Sequence, residues 1–169
     1  MKVALIPVTP FQQNCSLLID EASNKAAIVD PGGDLDEILD AVKRSGAELE
    51  KIFLTHGHID HCGAAAELRR RTGMPIEGPQ RADAFWIAQL AAQGERFGFE
   101  GAEPFEPDRW LEQGDVLFAG SIGRTDFPRG DDVSFIPGHG PMSTFGRERE
   151  SNPYVSDRAL GNAMRPPTA

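Results

Sequence analysis

The feature that most constrains this chain is the segment Thr55-His56-Gly57-His58-Ile59-Asp60-His61, which follows directly on the apolar run Lys51-Ile52-Phe53-Leu54. Three imidazoles and one carboxylate fall within six positions. These are the donors that zinc and similar divalent ions prefer, and such residues are expensive to cluster without a purpose. The run Lys51–Thr55 reads as a strand buried on both faces. Side chains alternate along extended backbone, so His56 and His58 project to the same side. Asp60 and His61, at the turn into a following helix, can point elsewhere, and one short motif can thereby feed two adjacent metals. Gly57 keeps the backbone compact between the histidines.

Around this motif the periodicities describe a layered α/β domain over residues 1–169. Val3–Val8, Cys15–Ile19 and Ala26–Val29 read as strands, the last two as an antiparallel hairpin turning at Asn24. Asp30-Pro31-Gly32-Gly33 is a break. Asp34 then stands as an N-cap with Glu37 at the capping-box position. Leu35, Ile38, Leu39 and Val42 give helical spacing up to Gly46. Gly63–Thr72 is helical and stops at Gly73. Met74–Glu77 is a strand, and Arg81–Gln93 a helix whose aromatic residues pack in the core. Gly94–Asp108 reads mostly as loop. Val116–Ala119 and Val133–Ile136 are short strands, Pro137–Pro141 a tight loop, and Ser143–Glu150 a last helix before a loose tail.

The net charge of −9 disfavours sequence-independent nucleic-acid binding. The basic run Arg69-Arg70-Arg71 reads as a solvated helix face near its C-terminus, where cations suit the dipole, with a local anion patch as the alternative. No apolar run approaches the ~18 residues of a membrane span. The start, Met1–Pro7, is too short for a secretory core, so a cytoplasmic protein is expected. Two cysteines do not make a disulfide framework. Cys62 reads as a small packed residue beside the site, against a metal or redox role.

The motif resembles the His-x-His-x-Asp-His signature of the metallo-β-lactamase superfamily. Gly114-Asp115-Val116 through Asp126 is similar to the bridging-aspartate motif of its bacterial glyoxalase II-like branch, and Pro137-Gly138-His139-Gly140-Pro141 to its late histidine loop. Asn14-Cys15 and Asp30-Pro31-Gly32-Gly33 also fit that branch. The resemblance implies an αββα four-layer sandwich with two divalent ions, zinc first and iron or manganese as alternatives. His56 and His58 would serve one ion, Asp60, His61 and His139 the other, and Asp115 would bridge them. It further implies hydrolysis of a small thioester, of the S-lactoylglutathione type, by a metal-bound hydroxide, with Asp60 and Asp115 as the catalytic carboxylates. Asp126 and Arg124 read as a loop ion pair, with support of the site or substrate contact as the functional alternative. Thr55 is either a hydrogen-bond partner of a ligand or an ordinary strand end.

The chain departs from the family pattern in one donor. Family members carry a further histidine for the first metal, whereas this sequence has four histidines, all assigned above. The segments at 113–116 and 129–133 are compressed relative to the family, as in an internally shortened chain. If so, the first metal keeps His56, His58, Asp115 and water. Two alternatives to hydrolysis follow: a mononuclear-iron persulfide dioxygenase, which shares the fold and early motif, and a shortened non-catalytic metal-binding protein.

Overall fold

The computed structural model describes residues 1–112 and 134–152. Packing divides the chain into a unit Met1–Asp115 and a unit Val116–Ala169.

In the first unit a single sheet runs through β1 (Lys2–Val8), β2 (Gln13–Asp20), β3 (Lys25–Val29), β4 (Glu48–Phe53), β5 (Ile76–Gln80) and β6 (Arg109–Leu111), in that spatial order. The pairs β1–β2 and β2–β3 are antiparallel, and β3–β4, β4–β5 and β5–β6 are parallel. The hairpin at Asn24 is present, with Asn24 at φ 55. Parallel neighbours need crossovers, and α1 (Leu35–Ser45) joins β3 to β4 while α2 (Ile59–Cys62) and α3 (Ala65–Thr72) lie between β4 and β5. Leu35 and Ile38 of α1 and Leu68 of α3 turn inward to meet Ile28, Ile52 and Ile76 of the sheet. Gly46 and Gly73 close their helices in the left-handed conformation, as the sequence predicts.

Several local expectations are revised. Asp34 stands at the N-terminus of α1 without capping it. Its φ of 48 turns the carboxylate away, and Oδ2 accepts the Thr9 N–H at 2.7 Å instead. A tertiary partner thus outcompetes the local one. The helix anticipated over Arg81–Gln93 is three pieces: a 3₁₀ turn at Arg81–Asp83, α4 (Ala84–Ile87) and α5 (Leu90–Phe97). The interruption falls at Gln89, whose ψ is 6. Helix therefore extends past Gly94 to Phe97, where loop was expected. Ile87 and Leu90 enter the core, but Phe85 is 53% exposed rather than packed. The flanks of β4 are also less dry than expected, since Lys51 and Phe53 are half-buried while Ile52 is fully buried. Lys51 keeps its charge paired with Glu77.

In the second unit β7 (Ser134–Phe135) pairs antiparallel with β8 (Ser143–Thr144) around the Pro137–Pro141 loop. The helix α6 (Phe145–Ser151) follows, with Thr144 Oγ1 accepting the Arg147 N–H. It starts two residues later than Ser143 because that residue and Thr144 are in the strand. Val116–Ala119, and with it Asp115, Arg124 and Asp126, lies outside the described residues, as does the tail after Asn152. Among the described residues no helix is long and apolar enough to cross a membrane.

Candidate metal centre

Parallel strands open at their C-terminal ends, where the chain leaves the sheet and side chains can converge. Here Asp30 follows directly on β3 and the adjacent β4 runs out through Leu54 into Thr55–His61. The two ends are tied together by the Asp30 N–H, which donates to the Phe53 carbonyl at 2.9 Å. The α2 turn starts at His58, whose carbonyl accepts the N–H groups of His61 and Cys62. That turn folds His61 back over His56, their ring centroids 4.0 Å apart. His56 Nε2 and His58 Nδ1 approach to 3.1 Å. His61 Nε2 faces Asp60 Oδ2 at 3.6 Å. The first motif therefore brings all four of its expected donors together, with His61 buried, His56 and Asp60 half-buried and His58 exposed.

Gly57 has a packing role beyond compactness. A Cβ there would stand 3.0 Å from both the Asp83 carbonyl and Trp86 Cβ. The histidine segment thus lies against the start of α4, and the Trp86 ring meets His58 edge-on at 5.0 Å.

Asp30, which the sequence offers as part of a break and of a segment that fits the glyoxalase II-like branch but not as a site residue, organises the centre. The residue is 4% exposed, and its carboxylate accepts from three donors: Thr55 N (2.8 Å), Thr55 Oγ1 (2.5 Å) and His61 Nδ1 (2.9 Å). With its proton committed to Asp30, the Thr55 hydroxyl can only accept from His56 Nδ1, 3.0 Å away. One carboxylate thereby sets two tautomers, placing the ring protons of His56 and His61 on Nδ1 and their lone pairs on Nε2. This is the arrangement in which a carboxylate orients a metal-ligating histidine. It also answers the question left open for Thr55, which contacts His56 directly. The sequence hints of Asp30's role are its place just after a strand and the fit of Asp30-Pro31-Gly32-Gly33 to the glyoxalase II-like branch.

The donor set fits divalent ions. Two nitrogens bound to one tetrahedral zinc at ~2.05 Å stand about 3.3 Å apart, close to the 3.1 Å between His56 Nε2 and His58 Nδ1. Asp30, His56 and His61 also offer atoms within 4.8 Å of one another. The Asp30 oxygens already take three N–H and O–H donors, which suits a place behind the candidate donors rather than among them. Burial, and then the neighbouring His61, lower the His56 pKa and favour the neutral, metal-binding ring.

Cys62 is fully buried and its Sγ–H donates to the His58 carbonyl at 3.2 Å. Burial first, and then the nearby carboxylates, push its thiol well above the ordinary range, which agrees with the packed reading. The arginines of α3 are engaged: Arg69 with Asp108, Arg70 with Glu67 and Glu103, and Arg71 with Glu67 and Asp36. Arg70 and Arg71 border a cavity of about 770 Å³ that none of the histidines lines. In the second unit, His139 sits exposed between Gly138 and Gly140, and Gly140 has φ 79.

The metallo-β-lactamase superfamily profile matches residues 8–143, so the chain belongs to that superfamily. Within it, this is a glyoxalase II-like hydrolase. It is 36% identical to hydroxyacylglutathione hydrolase GloC of Haemophilus influenzae, with 94% of this chain and all of that protein covered. That alignment spans 213 positions against 169 residues here, so the relative carries segments without a counterpart in this chain. The crystal structure of BLEG-1 B3 metallo-β-lactamase is similar at TM-score 0.71 and 26% identity, covering 91% of this chain and 99% of that one. A di-iron-bound form of TTHA1623 reaches TM-score 0.74 at 24% identity, over 90% of this chain and all of that one, which speaks to the fold alone. Family and donor set together imply divalent-metal binding. The oxidising alternative is not favoured, because curated relatives that the chain matches are hydroxyacylglutathione hydrolases; ETHE1 from Myxococcus xanthus, at 19% identity and TM-score 0.63, shares the fold.

Proposed function

We propose that this chain hydrolyses a small thioester, of the hydroxyacylglutathione class named for its Haemophilus influenzae relative, with divalent metal held by His56, His58, Asp60, His61, Asp115 and His139. Zinc suits this nitrogen- and carboxylate-rich set, with iron or manganese as competitors. The family match runs from residue 8 to residue 143 and so includes Asp115 and His139 together with the first motif, which supports counting both among the ligands. The observation that carries the proposal is the packing of three imidazoles and Asp60 on a buried carboxylate that sets two of the rings' tautomers.

When bound, divalent metal supplies a lowered pKa for water and a positive charge beside the carbonyl oxygen. The chain's own groups do the rest. Asp30 and Thr55 keep the Nδ1 protons of His56 and His61 in place, so both rings present Nε2. Asp60, half-buried next to His61, orients the attacking water and receives its proton. The water oxygen bonds to the thioester carbon, the C–S bond breaks, and the departing sulfur takes up a proton to leave as the thiol. Trp86 meets the His58 ring edge-on and braces it in place.

The test is hydrolysis of S-lactoylglutathione by zinc-loaded protein, with elemental analysis of the same sample. Thiol release that depends on zinc and is lost in His61→Ala supports the reading. Full metal loading without cleavage of S-lactoylglutathione or other acyl thioesters overturns the assigned reaction, and failure to bind metal overturns the site.

A further inference from the structure

Gln13 opens β2 opposite Val8, and its side chain is completely buried beneath the metal centre. Its amide nitrogen stands 3.5 Å from His61 Nδ1, too long for a well-made hydrogen bond. Among the described residues its Oε1 has no hydrogen-bond partner. A leucine would occupy the same space without stranding a polar atom, so packing alone gives no reason for an amide here.

We infer that Gln13 is a positioning residue for His61, one whose carboxamide oxygen is satisfied only when the ring carries a cation at Nε2. This rests on the metal-site reading above. His61 Nδ1–H already donates to Asp30 Oδ2 at 2.9 Å. A positive charge at the opposite ring nitrogen makes that N–H a stronger donor, able to support two acceptors. Rotation of the Gln13 amide about its last side-chain bond brings the oxygen to where the nitrogen now stands, 3.5 Å from Nδ1. An interaction that improves only in the metal-bound state contributes to metal affinity rather than to folding. Gln13 of β2 and Asp30, just after β3, then both hold the Nδ1 side of the ring, with Nε2 towards Asp60.

The experiment compares the parent chain with Gln13→Leu and Gln13→Glu, reading zinc affinity by competition with a chromophoric chelator and the melting of the metal-stripped proteins. Gln13→Leu is expected to bind zinc ~10-fold more weakly, the scale for removing a group behind a metal ligand, while its metal-free form melts no lower than the parent. Gln13→Glu keeps an acceptor at the same reach and is expected to stay within about threefold of the parent. Equal zinc affinity in Gln13→Leu and parent overturns the inference while leaving the metal site intact. A loss in Gln13→Glu as large as in Gln13→Leu also overturns it. If Gln13→Leu does not fold, the parent decides by NMR. Zinc must move both the His61 ring N–H and the Gln13 side-chain amide resonances, and an unmoved Gln13 amide refutes the role. A parent that takes up no zinc overturns this inference together with the reading it rests on.

Discussion

Replacing Gly32 with alanine tests whether the loop after β3 sets the position of the metal-ligand turn. A Cβ at Gly32 would lie 1.6 Å from the Asp60 carbonyl oxygen, 2.4 Å from its carbon and 3.2 Å from the His61 nitrogen. These are backbone atoms, which cannot swing aside as a side chain can. To regain an ordinary contact of 3.4 Å, the Asp60 carbonyl has to retreat by about 1.8 Å, the difference between those two distances, in a region packed at interior density. Asp60 and His61 ride on that carbonyl. A displacement of ~1 Å in a positioned group costs on the order of 10²-fold in rate. Overpacking of this kind typically destabilises by ~1–3 kcal/mol, small enough to leave a folded protein. Gly33→Ala is the internal control, since its nearest contact would be the Thr9 Cγ2 methyl at 3.0 Å and its nearest backbone atom stands 4.0 Å away. We expect Gly32→Ala, folded by circular dichroism, to lose most of its zinc on gel filtration and at least 10²-fold in zinc-dependent thioester turnover, with Gly33→Ala close to the parent. Zinc content and turnover within about twofold of the parent in folded Gly32→Ala would show that the turn does not depend on this contact.

Three further outcomes follow from the same geometry. Asp30→Asn removes the charge that accepts from Thr55 and His61, and is expected to weaken zinc binding by ~10–100-fold while the sheet persists in circular dichroism; unchanged affinity by chelator competition would remove Asp30 from behind the ligands. Metal removal with a strong chelator should leave the fold intact, because the apolar core includes none of the histidines. Restoring zinc to a thousandfold over Kd should then add about 4 kcal/mol to unfolding stability by linkage, and an unfolding midpoint indifferent to zinc would contradict a native-state site. Cys15 and Cys62 are both free and buried, and burial raises both thiols, so the reactive thiolate is scarce at pH 8. Both should resist a disulfide reagent in the native protein and react in urea; prompt native labelling of Cys62 would refute its packed role.

Much of this molecule could be read along the chain because the forces involved are local. Alternation and helical spacing located β1 to β3, α1 and α3, and Gly46 and Gly73 marked their helix ends, since each depends on a few adjacent residues. The donors His56, His58, Asp60 and His61 were equally legible, because so dense a run of imidazole and carboxylate has little other use. What depended on distant partners was hidden. Asp34 looked like a cap until Thr9 claimed its carboxylate, and the helix over Arg81–Gln93 looked continuous until it was found broken at Gln89.

The sequence by itself determined which atoms could hold a metal and that they leave the end of a buried strand. Only the tertiary structure decided how those atoms are aimed. Asp30 reaches His61 across 31 residues and Gln13 reaches it across 48, and Gly32 is kept bare by the Asp60 backbone. No local pattern encodes these relations. They arise because β2, β3 and β4 lie side by side, and a buried carboxylate must find its donors wherever the sheet brings them.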